Sequence, residues 1–427
     1  MVKVLHDEIR LLKNGRNSNT SSTPPSQDYG RSNQKSLRES SGRKSGGQKG
    51  HEGNTLKMVK VPDEILKYNP EFCQQCGQTL NISESVLVKK RQEIDIPPIV
   101  PRVIEHQSYS CNCNNCGHST TSKLPEYLRG NIQYSPKYMA LIGYLSSRQY
   151  IPYNRIAEIM KDIFNTSLSE GTVDNILQRS TQLAKGIYEQ IRLRVEQSEV
   201  VGGDETGIKI NGKKGWLFTF QTRELTYNHV SFTRGFENIQ TCFKKGFPKS
   251  VYVTDCLPAQ LKTNAKAHQI CLAHLQRELN NFIDTFNCDW SKQLKSLFKQ
   301  ALEVKTQLKP NEYCENIKVK NLEIKLDLLL KTTLVDKNKK VQTFIKRLIK
   351  NRDAIFVFLH QYNVPPDNNT SEQAIRNAKV KMKVSNQFKT IKGANTFAIL
   401  RSVIDTTIKN SQNVLAAFST MAYSPAE

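Results

Sequence analysis

The sequence predicts an α/β core interrupted by a helical insertion. Two smaller modules precede it, one built on cysteine knuckles and one on helices. Three observations predict this. From residue 199, three strand-like runs, a helical run and a fourth strand-like run follow one another. Ahead of them stand two Cys-x2-Cys-Gly pairs, Cys73/Cys76 and Cys113/Cys116. Between the cysteines and the strands, residues 130–198 carry apolar residues three and four apart, the period of helices with one buried face.

The chain has 427 residues, enough for two or three domains. Lys and Arg number 62 against 39 Asp and Glu, a formal charge of +23. Such an excess favours a polyanionic partner, and nucleic acid first. No apolar run approaches the ~20 residues that cross a bilayer, so no membrane partner is expected. "MVKVLHDEIRLLKNGRN" has acids and neither an apolar core nor a small-residue cleavage site, unlike a signal peptide. A cytoplasmic location is expected. There the ten cysteines are better metal ligands than disulfides.

Residues 1–56 combine a short helix, with Leu5, Ile9 and Leu12 at helical spacing, and a Ser/Asn/Gly/Lys-rich run too polar to bury a core. Residues 57–125 hold the knuckles, with β-like runs between them in "SVLVKKRQEIDIPPIVPRVIEHQSYS". Paired knuckles joined by a hairpin describe a zinc ribbon with Cys73, Cys76, Cys113 and Cys116 on Zn²⁺. Cys111 is an alternative to Cys113, and the paired spacing favours Cys113. Over 130–198, "SPKYMALIGYLSSRQ", "PYNRIAEIMKDIFN" and "SEGTVDNILQRSTQLAKGIYEQIRLRVEQ" read as three helices, the last starting at Ser169. Their order and basic flanks suit a helix-turn-helix-like DNA-binding domain.

From 199 to 410 the strands are "EVVGGDETGIKIN", "GKKGWLFTFQTR", "LTYNHVSFTR" and, after the helical "GFENIQTCFKKGFP", "KSVYVTDCLPAQL". A helical insertion is expected at about 266–360. Two last helices then begin in "PPDNNTSEQAIRNAKVKMK" and "GANTFAILRSVIDTTIKN". The order β-β-β-α-β-α with an all-helical insertion describes a ribonuclease H-like fold. Residues 411–427 read as a tail.

Strand period two puts Val200, Gly202, Asp204, Thr206 and Ile208 on one face, and Val201, Gly203, Glu205 and Gly207 on the other. Asp255 closes the fourth strand, which lies beside the first in such a sheet. Two carboxylates side by side repel unless cations intervene, and hard Mg²⁺ or Mn²⁺ prefers their oxygens. Glu372 is the candidate third acid. Arg376 and Lys379 share its helical face, and Lys383, Lys389 and Lys392 continue a basic run suited to DNA phosphates.

"NSNTSSTPPSQD", "GGQKGHEGNTL", "CQQCG", "GGDET", "YVTDC", "CLAHLQREL" and "DNNTSEQAIR", in that order, resemble the transposases of the insertion sequence 66 family over about residues 14–423. The resemblance implies a DDE-class DNA transposase of a bacterial mobile element, acting on the nucleoid. It implies Asp204, Asp255 and Glu372 as catalytic residues, on which two Mg²⁺ (or Mn²⁺) ions support cleavage and 3′-hydroxyl strand transfer. The implied partners are terminal inverted repeats, target DNA, further copies of the chain and accessory proteins of the same element. The resemblance also implies Cys271-x2-His274, two soft donors on one helix turn; no second pair follows, since Cys288 and Cys314 are isolated, so a structural role is favoured over metal. Gln373 stands where the family usually has Arg. Two rival readings are a ribonuclease H-like nuclease without strand transfer and a zinc-ribbon regulator that binds DNA without chemistry.

Overall fold

A computed structural model describes residues 46, 48, 50–53, 55–313, 316–331 and 339–423. The expected helix around Leu5, Ile9 and Leu12, most of the polar run after it, and Cys314 lie outside the described residues. The chain divides into a smaller unit, Ser32–Val100, and a larger one that includes Pro101–Glu427. Each is described by itself.

The smaller unit carries the first knuckle. The Gly77 N–H donates to the Cys73 carbonyl (2.9 Å) and the Cys73 N–H to the Gln78 carbonyl (2.8 Å). Gly77 closes the turn at φ +76°, where a side chain would be strained. The larger unit repeats the pattern. The Gly117 N–H donates to Cys113 (2.8 Å), the Cys113 N–H to His118 (2.9 Å), and Gly117 sits at φ +71°. Here β1 (Ser110–Asn112) and β2 (Ser119–Thr121) flank the turn as an antiparallel pair. The β-like runs expected at 85–109 form no ladder. Pro97, Pro98 and Pro101 remove N–H donors that a ladder needs.

The larger unit is built on five strands, β3 (Val200–Ile210), β4 (Lys213–Gln221), β5 (Thr226–Ser231), β6 (Phe247–Thr254) and β7 (Ala265–Ile270). The sheet order is β5-β4-β3-β6-β7. The β3–β4 and β4–β5 pairs are antiparallel, and β6 and β7 run parallel to β3. Strand β7 corrects the expected insertion start. "AKAHQI" carries Lys, His and Gln and hides its strand character, yet it pairs with β6 from Phe247↔Ala265 to Thr254↔Ile270.

Alternation along the strands separates two cores. Val201, Phe218, Phe220 and Tyr252 face one, and Val251, Val253 and Ile270 the other. On the first face lie α1 (Pro136–Gly143), α2 (Tyr153–Phe164) and the 27-residue α3 (Glu170–Glu196). As expected, Ser169 caps α3, its hydroxyl accepting the Thr172 N–H (3.0 Å). These helices are not a module of their own. Val173, Ile176, Leu177, Ala184, Ile191 and Val195 run the length of α3 and share one core with the sheet. That stripe is covered jointly by α1, α2, β5 and helices from the end of the chain, so residues 130–198 do not enclose it by themselves.

After β5 come α4 (Phe236–Cys242), β6 and the short α5 (Pro258–Leu261). The insertion helices α6 (Leu272–Phe286), α7 (Asp289–Gln307), α8 (Ile317–Lys331) and α9 (Lys339–Lys350) build the second core. The chain closes with α10 (Asn369–Ser385), α11 (Ile391–Lys409) and α12 (Val414–Tyr423). Helix α12 corrects the expected tail. Val414, Phe418 and Met421 are buried in the first core, beside α1. Among the described residues, no helix is long and apolar enough to cross a membrane.

Candidate active site

Two glycines open the site. Strand β3 pairs with β6 as far as Gly203↔Thr254, so Asp204 and Asp255 each stand one residue past the last registered pair. A Cβ on Gly202 would lie 2.8 Å from Ser371 Oγ and 3.0 Å from Asn368 Oδ1. One on Gly203 would lie 2.3 Å from the Tyr252 hydroxyl. Bare backbone at Gly202 therefore lets the first turn of α10 approach β3, and Gly203 lets Tyr252 fill the opposite face.

That first turn is keyed to the strand by buried hydrogen bonds. Asn368 Nδ2 donates to the Gly203 carbonyl (2.8 Å), Ser371 Oγ donates to Asn368 Oδ1, and Gln221 Nε2 donates to Ser371 Oγ (3.0 Å). The Asn368 N–H donates to Cys271 Sγ (3.2 Å), and the Leu272 N–H to the Pro366 carbonyl (2.9 Å). Helices α6 and α10 thus meet at their starts, and Glu372 is turned toward α6. Its carboxylate receives Arg277 Nη2 at 3.2 and 3.3 Å and lies 3.7 Å from His274 Nδ1. His274 Nδ1 in turn lies 2.9 Å from Asp255 Oδ1.

His274 thus links Asp255, at the end of β6, to Glu372 on α10, and Asp204 on β3 lies close enough to Asp255 to feel its charge. Among the described residues the tight metal-spaced cluster is Asp255, Cys271 and His274 rather than the three acids. Burial, then Asp255 and Glu205, push the Asp204 carboxyl well above the usual carboxylate range. Burial pulls His274 down, but Asp255 and the Cys271 thiol outweigh it and hold the ring up at about 11. The ring N–H is nevertheless not aimed at the carboxylate. Asp255 Oδ1 and His274 Nδ1 are buried, and neither has a partner in hydrogen-bond geometry. A bare, buried carboxylate oxygen on Asp255, beside the crowded carboxyl of Asp204, is what a cation would satisfy, so the site fits a metal.

Glu205 falls on the opposite face, as pleat parity requires. It is buried, with Arg234 Nη2 at 2.6 Å and Nε at 2.9 Å, and Gln260 Nε2 donates to its other oxygen (2.8 Å). Burial raises its pKa, and Arg234 pulls it back. The Arg234 guanidinium stacks 4.6 Å over the Trp216 ring.

Of the basic residues, Lys379 is half-buried close to Asp204, and burial lowers its pKa against the pull of that acid. Arg376, Lys383, Lys389 and Lys392 are exposed. The basic run extends from Arg376 to Lys409, and two of its cations are held inside the fold. Arg401 pairs with the buried Asp405, and Lys409 Nζ donates to Gln221 Oε1 and to the Thr222 and Leu225 carbonyls (2.8–2.9 Å).

Sequence reasoning missed Arg277, Asn368 and Asp367. Burial raises the pKa of Asp367, and the nearby Glu372 adds to the shift. Arg277 lay three residues after His274, on the same helical face, which was a usable signal. Asn368 and Asp367 had none beyond their place before Glu372.

At the knuckles, N–H groups of Cys76 and Gln75 lower the Cys73 thiol, and those of Cys116 and Asn115 lower Cys113. Backbone donors aimed at sulfur favour thiolates, the form that binds metal. Cys111 sits on β1 opposite Thr120, outside the turn.

The family model described as zinc-finger binding domain of transposase IS66 matches residues 70–117, spanning both knuckles. The model described as Transposase IS66 family matches residues 131–396, from ahead of α1 into α11 and across Asp204, Asp255 and Glu372. No curated protein matches the chain. With that second match covering more than half of its 427 residues, the chain belongs to the IS66 transposase family.

Proposed function

We propose that this transposase cleaves DNA at the ends of a bacterial insertion sequence and joins the freed 3′-hydroxyl to target DNA, through Asp204, Asp255 and Glu372. One observation supports the reading: Asp204 and Asp255 stand at the ends of paired strands, with a bare buried oxygen on Asp255, and His274 links Asp255 to Glu372 from a third element. A ribonuclease H-like core is supported by the β5-β4-β3-β6-β7 order, with three antiparallel strands and two parallel ones.

Two hard divalent cations, Mg²⁺ or Mn²⁺, held by these carboxylates would supply charge neutralisation and Lewis acidity at the scissile phosphate. The chain's residues do the rest. Arg277 holds Glu372 in place beside His274. Lys379 offers positive charge next to Asp204, and Arg376, Lys383, Lys389 and Lys392 present exposed cations to the phosphates on either side. Water is the nucleophile for cleavage and the element's 3′-hydroxyl for joining, so no side chain is covalently modified. A zinc ion on Cys73, Cys76, Cys113 and Cys116, with α1 and α2, would serve recognition of the terminal inverted repeats. Two ends in one reaction call for at least two copies of the chain on DNA, with accessory proteins of the element as further partners.

Asp204→Asn keeps the size of the side chain and removes its charge. It should abolish Mg²⁺-dependent cleavage of end-bearing DNA while end binding, followed by gel shift, persists. Cleavage by that variant would sink the assignment. Supplying a pre-cut 3′-hydroxyl end with a target plasmid tests joining separately: joined product supports transposition, and its absence beside normal cleavage supports a nuclease.

A further inference from the structure

Cys271 and His274 lie one helical turn apart at the start of α6, and taken as a pair they are too few donors for a soft metal. The fold adds a third. The end of β6 brings Asp255 to them, so that one ligand atom from each of Asp255, Cys271 and His274 lies within 4.8 Å of the others. We infer that these three side chains bind one thiophilic divalent cation of the zinc class, and that its binding withdraws Asp255 from the carboxylate set.

Four features support the site. Cys271 is fully buried and Asp255 is 7 % exposed, so neither is a solvated surface group. Asp255 Oδ1 and His274 Nδ1 face each other at 2.9 Å without hydrogen-bond geometry, as two donors do when both aim at a common point. Sulfur, nitrogen and oxygen together form a mixed donor set suited to zinc and poorly suited to Mg²⁺, which avoids thiolate. The Asn368 N–H supports Cys271 Sγ from outside the cluster, as outer hydrogen bonds orient metal-binding side chains. Three protein donors would leave a further position to water or another ligand, and Glu372 Oε1 lies 3.7 Å from His274 Nδ1. Binding displaces the protons carried by Cys271 and His274. The binding claim stands on these contacts alone. The consequence for Asp255 rests on the carboxylate reading above.

The test is zinc content of the full chain after loading with Zn²⁺ and removal of excess, with Co²⁺ substitution to report thiolate coordination. About two equivalents per chain are expected, one in the ribbon and one here. Cys271→Ser and His274→Gln should each fall to about one, while a Cys113→Ser, Cys116→Ser double variant should lose the other. Asp204→Asn, which loses cleavage on the reading above, should keep both. Zinc beyond the ribbon's equivalent should suppress Mg²⁺-dependent cleavage by the unmodified chain. His274 is half-buried, so His274→Gln serves if Cys271→Ser does not fold. A full chain that holds only the ribbon's zinc, or a His274→Gln variant that keeps both equivalents, overturns the site. Cleavage indifferent to added zinc despite two bound equivalents overturns the withdrawal of Asp255.

Discussion

Gly202 shows how much one missing side chain decides. Its Cβ position is taken by Ser371 and Asn368, the residues that key α10 to β3. Gly202→Ala should therefore move the first turn of α10, and Glu372 with it. Cleavage of end DNA should fall at least tenfold, while urea unfolding shows a loss of only about 1–3 kcal/mol, the usual range for overpacking. Unchanged cleavage would mean that the contact does not position Glu372. Arg234 gives the converse case, a residue whose value lies in what it leaves behind. Arg234→Ala strands the buried Glu205 without its cation, retaining only Gln260. A loss of about 3 kcal/mol is expected, at the low end for breaking a buried pair because Arg234 is itself part exposed. Glu205→Gln, which removes the charge instead, should cost less in the same unfolding measurement.

At the scale of elements, α12 and β7 carry consequences that their sequences conceal. "VLAAFSTMAY" is apolar enough for a helix, yet its value comes from burial against α1. Phe418→Ala should cost about 3–5 kcal/mol, the range for emptying a buried aromatic site, read from the urea midpoint at constant slope. A cost below about 1 kcal/mol would mean that α12 docks without supporting the core. Helix boundaries followed from local chemistry: the Ser169 cap, the Pro-Pro before α10 and the apolar period of α2 were all readable. Strand β7 was not, because three of its six residues are polar and its strand state depends on pairing with β6.

For the whole molecule, the +23 charge makes a quantitative claim about DNA. Exposed cations that meet phosphates release counterions, so end binding should weaken linearly with log salt. Replacing Lys383, Lys389 or Lys392 by Ala should each reduce that slope by about 1 if it contacts a phosphate. Arg401 and Lys409 belong to the same run, but their cations are held inside the fold. A net-charge argument therefore overcounts the DNA-facing surface.

The amino-acid sequence by itself determined the knuckle turns, the strand and helix periods, and the parity that splits Asp204 from Glu205. Each depends on residues within a few positions of one another, where backbone geometry leaves few choices. Tertiary structure alone decided which helices share a core with the sheet, that "AKAHQI" is a strand, and that Glu205 meets Arg234 rather than water. It also brought Asp255, His274 and Glu372 together across more than a hundred residues of chain. These outcomes rest on burial and pairing between distant segments, which carry no local period. Asp255 and Glu372 were legible as acids at strand and helix ends. Their shared neighbour His274, and the third donor that it and Cys271 gain, became visible only once β6, α6 and α10 met.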